Sequence, residues 1–270
     1  MRERFDSDYI RAELEQIGGE VETPLQVFLI GGGAMAFRDL KDATKDIDLI
    51  VTGGDGLRQL QTGLQARGYE IVRQPGEEYD ALGAQRIFEN EDGCRIDLFN
   101  QQVIDKLVLS QGMRDRSEEF LSAGGLSVSL VSSEDIFLFK AVAGRTDDIE
   151  DMFVLYQTDL DFDVIETELQ HQIELLGQEL FVTYANEALV ELEERYNITT
   201  PIDDTVAEIT EHVYQEIEVL HTIEDTSSLT DLQENLDLTS EEIETVIQSL
   251  ESKEVVTVDG DQVSKRSSIL

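Results

Sequence analysis

A short apolar strand that runs directly into three glycines is the feature of this sequence that most limits its fold. Residues 27–30 are continuously apolar, glycines occupy positions 31–33, and a helix is predicted over residues 34–40. A glycine turn between a strand and a helix lets the backbone approach a phosphate closely and presents the first N–H groups of the helix to it. The segment therefore predicts an α/β fold with a phosphate-binding turn.

Two aspartates stand at the start of the next apolar strand, residues 46–51. Asp46 and Asp48 are two positions apart, so both carboxylates project from the same face of that strand. Asp97 lies in a later strand and is the third candidate. Three carboxylates at the edge of one sheet can hold two Mg²⁺ ions about 3.5–4 Å apart, which would activate an attacking hydroxyl and neutralise a leaving pyrophosphate. The pattern predicts Asp46, Asp48 and Asp97 as metal ligands and catalytic residues.

The D-x-D spacing alone carries little weight in so acidic a chain. The same spacing occurs at Asp6/Asp8, Asp159/Asp161, Asp161/Asp163 and Asp259/Asp261. Only Asp46 and Asp48 begin an apolar strand about fourteen residues after a glycine turn. The alternative interpretation is a solvated strand end beside an ordinary glycine turn.

Two separated motifs resemble those of a known superfamily. I-G-G at residues 30–32 and D-I-D at residues 46–48 match the signature of the DNA polymerase β-like nucleotidyltransferases. Residues 133–151 match the lysine helix, arginine and acidic pair that follow in that superfamily. Residues 20–158 as a whole resemble its minimal and abortive-infection toxin-type members. The resemblance implies a mixed sheet flanked by helices.

The same resemblance implies an activity: transfer of a nucleoside monophosphate from an NTP to an acceptor hydroxyl on RNA or protein, with a toxin–antitoxin enzyme as the natural subclass. Two Mg²⁺ ions would be the cofactors, and Asp97 could serve as the base. Lys140 would reach the β- and γ-phosphates, with Asp148 or Asp151 orienting its helix. The nucleotide-binding candidates are Gly31, Gly32, Lys45, Lys140 and Arg145.

Structural alternatives stay open for the basic candidates. Lys140 could extend from its apolar helix to the surface, and Arg145 could pair with Asp147 or Asp151. The residue that would steer an acceptor is Arg38, Lys45 or Arg95. No metal-ligand spacing connects His171, His212 and His221.

The charge and hydropathy of the chain predict the salt concentration and the cellular location in which the protein works. The sequence has 59 acidic against 20 basic residues, a net charge of −39. At about 1 M salt the Debye length falls to about 3 Å, so exposed charges hardly repel one another. The charge therefore predicts a salt-adapted protein. The alternative is an acidic surface that binds a basic partner. A charged N-terminus and the lack of any long apolar run predict a cytoplasmic protein with no membrane segment.

The sequence predicts three parts: a nucleotidyltransferase domain (residues 1–158), a helical extension (159–200) and a winged helix-turn-helix-like domain (201–270). The last follows the order helix, helix, helix, hairpin, and residues 102–122 in the first part are expected to be helical. Only Lys253, Lys265 and Arg266 could neutralise DNA phosphates in the last part, so contact with DNA, docking to a protein and homodimerisation all stay open. The alternative function is a catalytically inactive DNA- or protein-binding regulator.

Overall fold

The computed structural model describes residues 3–72, 86–103 and 106–266. Its largest element is a seven-stranded mixed sheet flanked by helices, which confirms the predicted α/β class. The first nine described strands in chain order are β1 (Leu25–Ile30), β2 (Asp46–Val51), β3 (Glu70–Ile71), β4 (Arg86–Glu89), β5 (Arg95–Asn100), β6 (Gln102–Val103), β7 (Leu107–Val108), β8 (Glu118–Ala123) and β9 (Leu126–Leu130). The order in the large sheet is β3-β4-β5-β2-β1-β9-β8, and β6 pairs with β7 separately.

The strands at the centre of the sheet carry the glycine turn and the D-x-D motif. β1 pairs antiparallel with β2 and parallel with β9, while β2 pairs parallel with β5. Ile47 and Leu49 on β2 are fully buried, whereas Asp46 and Asp48 are half-buried. This alternation is the two-residue period of a strand, and it keeps the two carboxylates on the face opposite the buried side chains.

Helices cover the sheet and extend the body beyond it. The described helices are α1 (Ser7–Gly19), α2 (Gly31–Ala36), α3 (Gly54–Ala66), α4 (Gln111–Arg116), α5 (Ser133–Ala143), α6 (Thr146–Tyr156), α7 (Phe162–Leu176), α8 (Leu180–Tyr196), α9 (Asp203–Thr222), α10 (Leu229–Asn235) and α11 (Ser240–Ser252). Ser132 caps α5 by accepting a hydrogen bond from the Asp135 amide at 3.2 Å. Gly144 ends this helix in the left-handed conformation.

The prediction of a helix over residues 102–122 is wrong. The described part of this segment contains the short pair β6–β7, then α4, then β8 at the edge of the large sheet. β8 turns through Gly124, which has a φ of +56°, and pairs antiparallel with β9. Pairing with β9 therefore overrides the local helical preference, because a strand gains its stability from its neighbour in the sheet.

A smaller unit lies at the C-terminal end of the described chain. It contains the end of α9, then α10 and α11, and a three-stranded sheet formed by β10 (Thr226–Ser228), β11 (Val256–Asp259) and β12 (Gln262–Lys265). Its hydrophobic core is separate from the large one: Val206 on α9 packs in the large core and Val219 in the small one. The winged-helix assignment and the division at residue 200 stay predictions, since α9 contributes to both cores.

Among the residues that the structure describes, no helix is both long and apolar enough to cross a membrane.

Candidate active site

The three predicted carboxylates lie on two adjacent parallel strands. In the register of β2 with β5, Asp48 is directly opposite Asp97, and Asp46 is one full strand period away on the same face. Asp97 is almost completely buried, with 1% of its surface exposed. The pairing of the two strands therefore brings together residues that are far apart in the sequence.

The glycine turn packs against one of these carboxylates. α2 begins at Gly31 itself, not at residue 34 as predicted, because β1 passes into the helix without a loop. Gly31 has a φ of +61°, and a Cβ at this position would collide with the Asp48 carboxylate. A Cβ on Gly32 would lie 2.6 Å from Thr44 Oγ1. The absence of side chains thus allows the turn to approach the carboxylates closely.

A cleft of about 420 Å³ opens over this turn and the carboxylates. Seven of the eight predicted site residues line it: Gly32, Lys45, Asp46, Asp48, Asp97, Lys140 and Arg145. The eighth, Gly31, lies against the Asp48 carboxylate. The structure therefore gathers the predicted residues of both motifs around one cavity.

Lys140 is buried at the floor of the cleft and bound by two carboxylates. Its ammonium group lies 2.6 Å from Asp148 Oδ1 and 2.8 Å from Asp151 Oδ2. Burial alone would lower the pKa of Lys140, but the charges of Asp148 and Asp151 raise it above its usual value. Lys140 therefore does not extend to the surface, and it remains charged at neutral pH.

Arg145 shares one of these acidic partners. Its Nε donates to Asp148 Oδ2 at 2.6 Å, so Asp148 joins Lys140 to Arg145 and replaces the expected partners Asp147 and Asp151. Although burial tends to raise the pKa of Asp148, the two cations hold it below its usual value.

Asp48 stands in an electrostatic setting that suits a bound cation. Burial, with the nearby charge of Asp46, raises its pKa to about 6, and Lys140 and Arg145 only partly oppose this rise. Carboxylates are the protein ligands that Mg²⁺ uses, and a divalent ion would relieve the repulsion between the two aspartates. The donor set of Asp46, Asp48 and Asp97 therefore fits Mg²⁺.

The three candidates for steering an acceptor have different positions. Lys45 lines the cleft and lies 3.1 Å from Asp147 on α6. Arg95 forms an ion pair with Glu89 on β4. Arg38 does not line the cleft; its guanidinium donates to the Val131 carbonyl at 2.6 Å in a separate depression of the surface.

Two basic residues of the cleft were not predicted from the sequence. Lys41 lies 2.6 Å from Asp151, which therefore binds both Lys41 and Lys140. Arg4 lines the mouth of the cleft. Lys41 stands four residues before Lys45, a spacing that could have been noticed, but no local signal connects Arg4 with the D-x-D motif.

A second group of potential metal ligands lies far from the glycine turn in the sequence. Among the described residues, the group of three whose ligand atoms lie within 4.8 Å of one another is Glu179, His212 and Glu216. The Lys253 ammonium already lies between the two glutamates, 3.0 Å from Glu179 and 2.7 Å from Glu216. This cation takes the place of a metal. Asp46, Asp48 and Asp97, which are all described, do not form a group as compact as this one.

The mixed sheet, with its glycine turn, strand carboxylates and lysine helix, defines a protein of the nucleotidyltransferase class. A family model described as a nucleotidyltransferase of unknown function (DUF6036) matches residues 9–199. The chain belongs to this family. The match runs from α1 through α8 and ends before α9. No curated protein matches the chain.

Proposed function

We propose that this protein is an active, Mg²⁺-dependent enzyme that transfers a nucleoside monophosphate from an NTP to an acceptor hydroxyl on RNA or protein. The observation that carries the proposal is the register of β2 with β5, in which Asp48 lies opposite Asp97 beside the glycine turn. Lys140 and Arg145 in the same cleft supply positive charge for a triphosphate. Carboxylates for metal and cations for phosphate are the two requirements of nucleotidyl transfer.

In this proposal the aspartates have two roles, metal binding and proton transfer. Asp46, Asp48 and Asp97 hold the metal, which when bound would activate the acceptor hydroxyl and neutralise the leaving pyrophosphate. A carboxylate oxygen of Asp97 takes the proton from the acceptor hydroxyl. Because Asp97 is almost fully buried, this proton transfer is shielded from bulk water.

The glycines and the basic residues orient the nucleotide. The N–H groups at the start of α2 face the triphosphate, since Gly31 and Gly32 let it approach the backbone. Lys140 and Arg145 bind the β- and γ-phosphates while Asp148 holds both side chains in position. This pre-organisation lowers the entropy lost on binding.

A direct test measures pyrophosphate release with each of the four NTPs and Mg²⁺, offering total cellular RNA or protein as the acceptor at about 1 M KCl. Asp48→Asn should reduce the rate by about a hundredfold or more, because it removes a metal-binding charge. Asp259→Asn is the matched control, since it removes one charge from another D-x-D pair and should leave the rate unchanged. Equal rates for Asp48→Asn and wild type would overturn the proposal.

The inactive-regulator alternative gives a different result in the same assay. A regulator would be stabilised by NTP without releasing pyrophosphate, and its C-terminal unit would carry the function.

Toxin-type activity is a further part of the proposal. It predicts that expression of wild type, but not of Asp48→Asn, arrests growth of the host cells.

A further inference from the structure

The basic residues of the cleft differ in whether an acidic group neutralises them. Five cations line it, and Lys41, Lys45, Lys140 and Arg145 each form an ion pair with an aspartate. Among the described residues, no carboxylate forms an ion pair with Arg4, although the chain has 59 acidic residues. Arg4 is exposed, whereas the Lys140 side chain is 9% exposed. The uncompensated charge is therefore at the mouth of the cleft.

The backbone beside Arg4 is held firmly in place. Phe5 is buried and forms an isolated antiparallel bridge with Thr44, through two backbone hydrogen bonds of 2.8 and 2.9 Å. Asp6 then caps α1 by accepting from the Tyr9 amide at 2.9 Å. These contacts anchor residues 4–6. In an antiparallel bridge the residue before Phe5 lies beside the residue after Thr44, which places Arg4 next to Lys45, the residue that precedes Asp46.

We infer that Arg4 binds a backbone phosphate of an RNA acceptor and holds the strand at the mouth of the cleft. The inference rests on the proposed function, and it selects RNA over protein as the acceptor. A guanidinium binds phosphate oxygens in a bidentate manner, and the cations needed for the nucleotide lie deeper. An acceptor hydroxyl has to reach Asp97 through this mouth. A strand of RNA always presents a phosphate close to its terminal hydroxyl, whereas a protein presents a carboxylate there only where its own sequence places one.

The overall charge strengthens the argument for a phosphate contact. A protein with a net charge of −39 repels polyanions until salt of about 1 M screens the repulsion. Binding of a nucleic acid strand then depends on local cations that the protein's own acids do not neutralise. Arg4 meets this requirement at the place where the acceptor enters.

The test measures binding of a fluorescein-labelled single-stranded oligoribonucleotide by anisotropy, without NTP, from about 0.2 to about 1 M KCl. Arg4→Gln should weaken binding about three- to tenfold and reduce the slope of log K against log salt by about 0.7, the value for one phosphate contact on a single strand. Arg4→Lys should retain the slope. Arg58→Gln is the control and should behave as wild type, because it removes an exposed arginine from α3 that already pairs with Asp55.

The kinetic arm separates this inference from the proposed function. In the transfer assay, Arg4→Gln should raise KM for the oligoribonucleotide and leave KM for NTP unchanged. An increase in KM for NTP alone, an unchanged salt slope, or a wild-type protein that binds no RNA and labels only protein would each overturn the inference. If RNA binding depends on Arg4 but no acceptor is ever labelled, the proposed transfer is wrong and the RNA contact remains.

Discussion

Asp48 shows how a carboxylate placed beside a second acid weakens the fold that carries it. Its pKa rises from 3.8 to about 6 through burial and the charge of Asp46, which corresponds to roughly 3 kcal/mol as an upper bound for a half-buried side chain. When the pKa of an acid is higher in the folded state, the folded protein loses stability as pH rises from the unfolded to the folded pKa. The window for Asp48 is about pH 4 to 6.

Asp48→Asn should therefore stabilise the metal-free protein. At pH 7 in EDTA, we expect its free energy of unfolding to exceed that of wild type by about 1–3 kcal/mol, because the neutral amide avoids the repulsion. The difference should shrink as the pH falls toward about 4, where the wild-type carboxyl is protonated. Urea unfolding at both pH values measures this, with the exposed Asp259→Asn as the control. A less stable Asp48→Asn protein at pH 7 would contradict the electrostatic account.

At the scale of helices and strands, the sequence predicts elements whose local signals agree with their packing. The strand before the glycines, the D-x-D strand and the lysine helix all lie where they are predicted. The helix expected over residues 102–122 fails because β8 is defined by its pairing with β9, which no local pattern reveals. Arg4 was missed for a similar reason, since only the bridge between Phe5 and Thr44 brings it to the cleft.

The capping box of α11 gives a prediction for a single element. Thr239 Oγ1 accepts from the Glu242 amide at 3.3 Å, and Glu242 accepts from the Thr239 amide at 2.7 Å. Thr239→Ala should lower the stability of α11 by about 1 kcal/mol. Faster hydrogen exchange of the amides of α11 should reveal the loss. Thr245→Ala, on an exposed position inside the same helix, should slow exchange or leave it unchanged, because alanine favours helix interiors. Equal exchange rates in Thr239→Ala and Thr245→Ala would show that the Thr239 cap does not stabilise α11.

At the scale of the whole molecule, Lys253 connects the two hydrophobic cores. It is the only basic residue between positions 201 and 264. Its ammonium group at the end of α11 binds Glu216 on α9 and Glu179 beside α8. Arg266 is also paired, 3.4 Å from Glu254. Two of the three cations that could contact DNA are thus engaged within the protein, which weighs against DNA contact by the C-terminal unit.

Lys253→Met should loosen the C-terminal unit from the rest of the protein. Glu216 is buried and would lose its cation, so we expect a loss of about 1–3 kcal/mol and faster proteolysis within the unit. Lys265→Met serves as the control, since Lys265 is exposed and its position lies outside this cluster. Adding Glu216→Gln to Lys253→Met should recover part of the loss by removing the unpaired charge. If the single variant resists proteolysis as well as wild type, the contact does not fasten the unit.

The position of bound metal tests the central claim most directly. In crystals of the protein grown with Mn²⁺ and a non-hydrolysable NTP analogue, anomalous scattering locates each ion. We predict Mn²⁺ bound to Asp46 and Asp48 beside the Gly31 turn, in contact with the triphosphate. Mn²⁺ found only at Glu179, His212 and Glu216, or a nucleotide bound with no metal on the aspartates, would contradict the account.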